Sequence, residues 1–194
     1  MNSITRSLFL AACFATTLLA GCSDKASEAP APADPVPTYK MGHYFYYPAS
    51  NSGGGTLHPT QDIKGEARLF PQVLAFDFTA APDAPHFELD RAQLKPDWVG
   101  TYTLRCRARP TDPVFVSYSY SVGSGTRIFR LSDFTQTLTG DVTITAYDAK
   151  RQLISGHFEV EAPNQLDPTT SDLDKKCTIT IFGDFTDMKI KVQP

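Results

Sequence analysis

The strongest constraint on the fold is the spacing of apolar residues, which alternate with polar residues over most of residues 100–192. In residues 114–122 the even positions hold Val, Val, Tyr, Tyr and Val, whereas three of the odd positions hold Ser. Residues 154–162 repeat the pattern, with Ile, Gly, Phe, Val and Ala alternating against Ser, His and two Glu. A side-chain period of two is typical of a strand with one buried face. The alternation therefore predicts β-strands.

Turn residues divide this pattern into short strands. Gly-rich or polar turns are predicted at residues 123–125, 148–152 and 183–184. One helical turn is predicted at residues 90–94, ahead of Pro96. Without βαβ alternation, we expect a single antiparallel β-sandwich or open barrel over residues 39–194. The predicted strands cover residues 43–47, 73–79, 101–108, 114–122, 126–131, 142–147, 154–162, 177–182 and 188–192.

The N-terminus is typical of an export signal. Arg6 precedes an uncharged apolar stretch at residues 7–20, which is too short to span a bilayer. The stretch ends in Leu-Leu-Ala-Gly-Cys at residues 18–22, which resembles the bacterial lipobox. The resemblance implies that residues 1–21 are a lipoprotein signal peptide. Cys22 would then be the first mature residue, with diacylglycerol on its sulfur and an acylated amine.

Such acylation is an effectively permanent membrane anchor, because each buried methylene contributes about 0.8 kcal/mol. Ser23 stands where an Asp would signal inner-membrane retention, so the resemblance implies the outer membrane of the cell envelope. The alternative is a simple secretory signal that contains a cysteine. Residues 22–38 are rich in Ser, Ala, Asp, Glu and Pro, which predicts a disordered tether between the lipid and the folded domain.

Four segments of the second half carry a further resemblance. In order they are Gly-Thr-Tyr at residues 100–102, Gly-Asp-Val-Thr-Ile-Thr at 140–145, Ile-Ser-Gly-His-Phe at 154–158 and the closing Ile-Thr strand. This order is similar to that of small all-β lipoproteins of the bacterial envelope. The resemblance implies an all-β fold and an envelope location, and it assigns no catalytic residue.

Two cysteines are left for the folded domain once Cys13 departs with the signal and Cys22 is lipidated. Cys106 and Cys177 each lie on the apolar face of a predicted strand. In an oxidising compartment an even number of such cysteines predicts a disulfide between them. The alternative is two buried free thiols that pack as small hydrophobic groups.

The densest aromatic run, at residues 43–47, contains the candidate binding residues His43, Tyr44 and Tyr46. Exposed Tyr rings offer flat apolar area with a hydroxyl group and can stack on sugar faces. Strand packing accounts for the half of the run that faces inward. The single tryptophan, Trp98, is interpreted as a core residue.

Spacing offers no support for a metal site. The four histidines include no pair at i, i+2 or i, i+4, so the prediction is no metal and no cofactor. His43 and His58 flank a flexible segment at residues 50–55, and their convergence is the weaker alternative. The loop at residues 163–176 carries Asp167, Asp172 and Asp174, and we expect it to be solvated rather than a calcium site.

The net charge and the absence of catalytic motifs exclude some classes of function. The net charge of −3 offers no basic excess for nucleic acid, and neither a Ser elbow nor a phosphate-binding loop is present. The prediction is a non-catalytic, lipid-anchored envelope protein that binds a ligand, a glycan or a surface partner. The alternative is a structural or accessory subunit of an outer-membrane assembly. A third hypothesis is a hydrolase that uses carboxylates such as Glu66, Asp77 or Glu88.

Overall fold

The computed structural model describes residues 33–123 and 125–194. The predicted signal peptide at residues 1–21, the predicted lipidation site Cys22 and the predicted tether up to residue 32 lie outside the described residues. Strands make up 62 % of the described chain and helices 6 %, so the protein is mostly β, as the alternation predicts. Within the described residues, no helix is long and apolar enough to cross a membrane.

The described residues contain eleven strands, one short α-helix and two 3₁₀ turns. The α-helix α1 spans Leu131–Phe134, and the 3₁₀ turns span Thr60–Asp62 and Arg91–Gln93. The second 3₁₀ turn occupies the predicted helical turn, where the Asp90 side chain accepts the backbone N–H of Ala92. The strands are β1 (Thr38–Tyr47), β2 (Ser52–Leu57), β3 (Lys64–Leu69), β4 (Val73–Thr79), β5 (Asp83–Asp90), β6 (Gly100–Thr103), β7 (Val114–Val122), β8 (Gly125–Phe129), β9 (Thr139–Asp148), β10 (Leu153–Leu166) and β11 (Lys176–Val192).

The strands form one mixed sheet in the order β6-β9-β10-β11-β3-β4-β5-β7-β8, with β1 paired to β11 and β2 paired to β1. Every pair is antiparallel except β11 with β3, which is parallel. The prediction of a purely antiparallel sheet is therefore wrong, and the sheet is not closed into a barrel. The cause is the length of β11, because one strand of 17 residues pairs first with β1 and then, at Ile190–Val192, with β3.

The predicted turn at residues 183–184 is also wrong, because β11 continues through it. Gly183 is part of the strand, where a Cβ would lie 2.5 Å from the ring of Phe158 and 2.6 Å from the carbonyl oxygen of Lys40. In the next pair along β10 and β11 the glycine is on β10 and the ring is on β11, since a Cβ on Gly156 would lie 2.8 Å from the ring of Phe185. These glycines make room for core aromatic rings rather than for a turn.

Strand β11 joins two groups of strands. The first group is β1, β2, β6, β9 and β10, and the second is β3, β4, β5, β7 and β8. Phenylalanine contacts between the two groups dominate the core. The ring centroid of Phe158 on β10 lies 4.9 Å from that of Phe78 on β4 and 4.8 Å from that of Phe87 on β5. On β11, Phe185 packs 5.3 Å from Phe76. Trp98 is partly buried against this core and stacks on Tyr147 at 4.2 Å, as interpreted from the sequence.

The predicted alternation is confirmed. Ile144, Phe158 and Ile179 are buried, whereas Glu159 is exposed and Arg105 is only half-buried. Strands β2, β3 and β5 were not predicted. Segments 177–182 and 188–192, predicted as two strands, are parts of β11.

Candidate functional site

Strand β1 divides the aromatic run between two faces. His43, Phe45 and Tyr47 point towards the core, whereas Tyr44 and Tyr46 point outward. The three predicted binding residues are therefore not together, because His43 lies on the buried face. Two candidate sites result, one on each face of the same strand.

On the outer face, Tyr44 and Phe182 lie over glycine backbone. The Tyr44 ring occupies the space that side chains at Gly53 and Gly55 would fill, and the Phe182 ring lies 2.8 Å from the position of a Cβ on Gly42. Tyr44 is 42 % exposed and Phe182 is 38 % exposed. We call Tyr44, Tyr46 and Phe182 the outer aromatic face. The glycines hold these large rings close to the sheet while they stay open to solvent.

Polar side chains continue the outer aromatic face across the sheet. Thr180 of β11 lies opposite Tyr44, and Glu161 of β10 lies opposite Thr180. Glu159 lies opposite Phe182 in the next row. Opposite residues of an antiparallel pair share a face, so carboxylates and a hydroxyl lie beside the rings. The hydroxyl of Tyr46 donates to Oδ1 of Asn51 at 2.7 Å.

On the buried face, two histidines converge on one carboxylate. Nδ1 of His43 lies 2.7 Å from Oδ2 of Asp83, and Nε2 of His58 lies 2.5 Å from the same oxygen. The Tyr118 hydroxyl donates to the other oxygen, Oδ1. His43 is 5 % exposed, His58 7 % and Asp83 2 %. We call these four residues the buried histidine cluster.

Secondary structure and packing fix each member of the cluster. The ring of His43 stacks on Phe45 at 4.4 Å. The backbone N–H of His58 donates to the carbonyl of Met41 at 2.9 Å. Asp83 begins β5 and exchanges two backbone hydrogen bonds with Ala80. Strands β1, β5 and β7 and the residue that follows β2 therefore present their side chains to one point.

The electrostatics of the cluster favour an ionised Asp83. Burial raises the pKa of this carboxyl, but hydrogen bonds from His43, Tyr118 and His58 outweigh burial and hold the pKa below its usual range. Burial, and then the charge of Asp83, raises the pKa of Tyr118, so its hydroxyl keeps its proton. Asp83 is thus a charged acceptor with donors on both oxygens.

Sequence reasoning identified the convergence of His43 and His58 only as the weaker alternative. Their spacing is not that of one strand or one helix. The hairpin of β1 and β2, in which Gly42 pairs with Leu57, brings them together. No signal in the sequence pointed to Asp83 or Tyr118, because the pairing of β5 with β7 is needed to place them.

The three hypothetical hydrolase carboxylates come together on the exposed side of β3, β4 and β5, but each is paired with a basic side chain. Nη2 of Arg68 lies 2.5 Å from Asp77, and His86 lies 2.8 Å from Asp77 and 3.2 Å from Glu88. Glu66 pairs with Lys191 at 2.8 Å.

The pKa shifts in this group follow from the ion pairs. Hydrogen bonds from His86 and Arg68 outweigh the effect of burial and lower the pKa of Asp77. The hydrogen bond to Asp77 raises the pKa of His86. A general acid needs a carboxyl whose pKa is raised, which is the opposite shift. The arrangement is that of a cross-strand ion-pair network.

The predicted disulfide is not formed in the structure, where Cys106 and Cys177 are separate, buried, free thiols. Alternation places both inward as predicted, but their sulfur atoms are not bonded to each other. Cys106 lies beside the backbone of Leu138 and Arg109. Cys177 lies 3.9 Å from the carbonyl of Leu166. Burial raises the pKa of Cys177 to about 12.

The expectation that Asp167 is solvated is wrong, because this residue is buried. Its Oδ1 accepts the backbone N–H of Thr169 at 2.9 Å and the Tyr47 hydroxyl at 3.3 Å. Nζ of Lys175 lies 3.0 Å from Oδ2. Asp167 therefore anchors the start of its loop by hydrogen bonding rather than facing solvent.

Comparisons of the chain with protein-family models, with curated proteins and with solved structures found no match. We therefore infer the function from the residues on the two faces of β1.

Proposed function

We propose that the chain is a non-catalytic, lipid-anchored protein of the bacterial cell envelope, and that its β domain binds glycans through the outer aromatic face. The observation that carries this proposal is the position of Tyr44 and Phe182. Both rings lie over glycine backbone, both are open to solvent, and Glu159, Glu161 and Thr180 lie beside them.

The chemistry of this surface matches that of a sugar. One side of a pyranose ring presents C–H groups, which pack on a flat aromatic ring. The hydroxyl groups at its edge donate to carboxylates, and such charge-assisted bonds are stronger than neutral ones. Rings that are already held in place lose little conformational freedom on binding. The surface suits an extended glycan that crosses β1, β11 and β10.

The membrane part of the proposal rests on the lipobox resemblance at Cys22 and on the Pro-rich tether. Acyl chains on Cys22 would tie the domain to the outer membrane, and the tether would leave the outer aromatic face free to reach a polysaccharide. Mass spectrometry of the protein isolated from envelopes measures whether Cys22 carries those chains. An unmodified Cys22 would refute the anchor.

We also propose that the two groups of strands form the layers of a β-sandwich that shares β11. The contacts of Phe158 and Phe185 with phenylalanines of β4 and β5 support this arrangement, because facing sheets bury their inner side chains against each other.

The test is a glycan array probed with the full-length protein in detergent. We expect selective binding of one glycan class, and about fivefold weaker binding by Tyr44→Ala and by Phe182→Ala, since each stacking contact contributes about 1 kcal/mol. Phe134→Ala is the matched control, because Phe134 is exposed elsewhere, on α1, and its removal should leave binding unchanged.

An apolar patch favours the accessory-subunit alternative. Ile128 on β8, Phe134 and Leu173 are all exposed and line one depression beside β8, which ends the sheet. Exposed apolar patches and sheet edges are typical of protein-binding surfaces. If no glycan on the array binds the protein, glycan binding is refuted. A membrane protein that co-purifies with wild type but not with Phe134→Ala would then support this alternative.

A further inference from the structure

The buried histidine cluster plays no part in the proposed glycan site, because it lies on the opposite face of β1. We propose that His43, His58 and Asp83 form a binding site for one divalent transition-metal ion, of which Zn²⁺ is the natural probe. The three ligand atoms, Nδ1, Nε2 and Oδ2, all lie within 4.8 Å of one another.

The ligand set determines the class of ion. Two imidazole nitrogens and one carboxylate oxygen suit Zn²⁺, Fe²⁺, Ni²⁺ or Cu²⁺, whereas Ca²⁺ and Mg²⁺ prefer oxygen ligands alone. The carboxylate neutralises part of the ion's charge in a site where all three ligands are more than nine-tenths buried. Three protein ligands leave a fourth position for water or another donor, as in open zinc sites.

The distances require only a small adjustment. Zn²⁺ lies about 2.0–2.1 Å from its nitrogen and oxygen ligands, so tetrahedral ligands are about 3.3 Å apart. The present hydrogen bonds of 2.5 and 2.7 Å would lengthen by less than about 1 Å, and the ligand nitrogens of His43 and His58, which lie within 4.8 Å of each other, would come to about the same separation of 3.3 Å. Coordination uses the lone pairs of Nδ1 of His43 and Nε2 of His58. A ring that carries a proton on its ligating nitrogen transfers that proton through solvent to its other nitrogen, so one N–H bond breaks and one N–H bond forms.

The surroundings of the cluster support a metal site. Metal-ligating side chains are commonly oriented by a further hydrogen bond from behind. Tyr118 does this for Asp83, since it holds Oδ1 while Oδ2 faces the two histidines. The cluster also lies one side chain away from an open cleft. Tyr120, whose ring meets that of His43 at 5.7 Å, lines an open cleft of about 370 Å³ with Arg127 and Thr169.

The experiment is calorimetric titration of Zn²⁺ into the full-length protein in detergent after removal of metals with a chelator. We expect one ion per chain. We also expect Co²⁺ to bind at the same site and to give the visible absorption of a four-coordinate complex with nitrogen ligands. His43→Gln and His58→Gln should each weaken Zn²⁺ binding at least tenfold, and Tyr118→Phe about tenfold. Circular dichroism checks that each variant is folded.

The other two histidines provide the controls. His157→Gln alters an exposed histidine, and His86→Gln alters the ion-pair network, so both should bind Zn²⁺ like wild type. Should one buried variant fail to fold, the other variant and the Co²⁺ spectrum of wild type still decide the outcome. The proposal is overturned if wild type binds no stoichiometric Zn²⁺, if His58→Gln binds it as tightly as wild type, or if His86→Gln abolishes binding.

Discussion

Phe158→Ala is expected to lower the free energy of unfolding by about 3–5 kcal/mol. The Phe158 ring contacts Phe78 and Phe87 and also covers the backbone of Gly183, so its removal leaves a cavity between the two groups of strands. The glycine opposite it has no side chain to fill that space. Urea denaturation followed by tryptophan fluorescence measures the loss.

Phe182→Ala is the matched control for Phe158→Ala. The two residues are of one type and lie on neighbouring strands, but Phe182 points to solvent. We expect it to cost less than about 1 kcal/mol, as surface substitutions usually do. Equal losses in the two variants would contradict the assignment of faces on which both proposed sites depend.

Asp83→Ala is expected to destabilise the domain by about 3–5 kcal/mol when chelator is present. The substitution removes the shared acceptor of His43, His58 and Tyr118 and leaves three buried polar groups without it. Asp184→Ala, which removes an exposed carboxylate from β11, should change stability by no more than about 0.5 kcal/mol. Urea unfolding at neutral pH compares the two.

The pH dependence of Asp83→Ala separates a charged acceptor from simple packing. Because the folded pKa of Asp83 is below its ordinary value of 3.8, its contribution to stability is present above that pH and is lost as the pH falls through the folded pKa. The stability difference between wild type and Asp83→Ala should therefore shrink below pH 3.8. A difference independent of pH would show that the ionised carboxylate does not hold the cluster.

The strands that could be predicted from the sequence are those with one solvent-exposed face and one buried face. Strands β7, β9 and β10 belong to this class. Strand β2 has three consecutive glycines, whose β-propensity is low, and it is a strand because Tyr44 packs over it. The continuity of β11 through Gly183 depends on a ring of another strand, so local turn chemistry gave the wrong answer.

The same limit applies to the sites. Alternation by itself separates Tyr44 from His43, so the two faces of β1 can be inferred from residue order. Phe182 lies beside Tyr44 because of the register between β1 and β11. Asp83 contacts the histidines because strands that are distant in sequence pair with each other. Local spacing could not supply either partnership.

The position of β11 also has a consequence for biogenesis. Thr186 pairs with Thr38, and Ile190 pairs with Ala67. The last strand to be synthesised in the described chain, β11, therefore pairs with β1 and β3, which are synthesised early. Pairing between such remote segments is slow, because loop-closure entropy opposes it. A nascent chain would expose unpaired edges of β1 and β3 until β11 arrived, and unpaired strand edges favour aggregation during that interval.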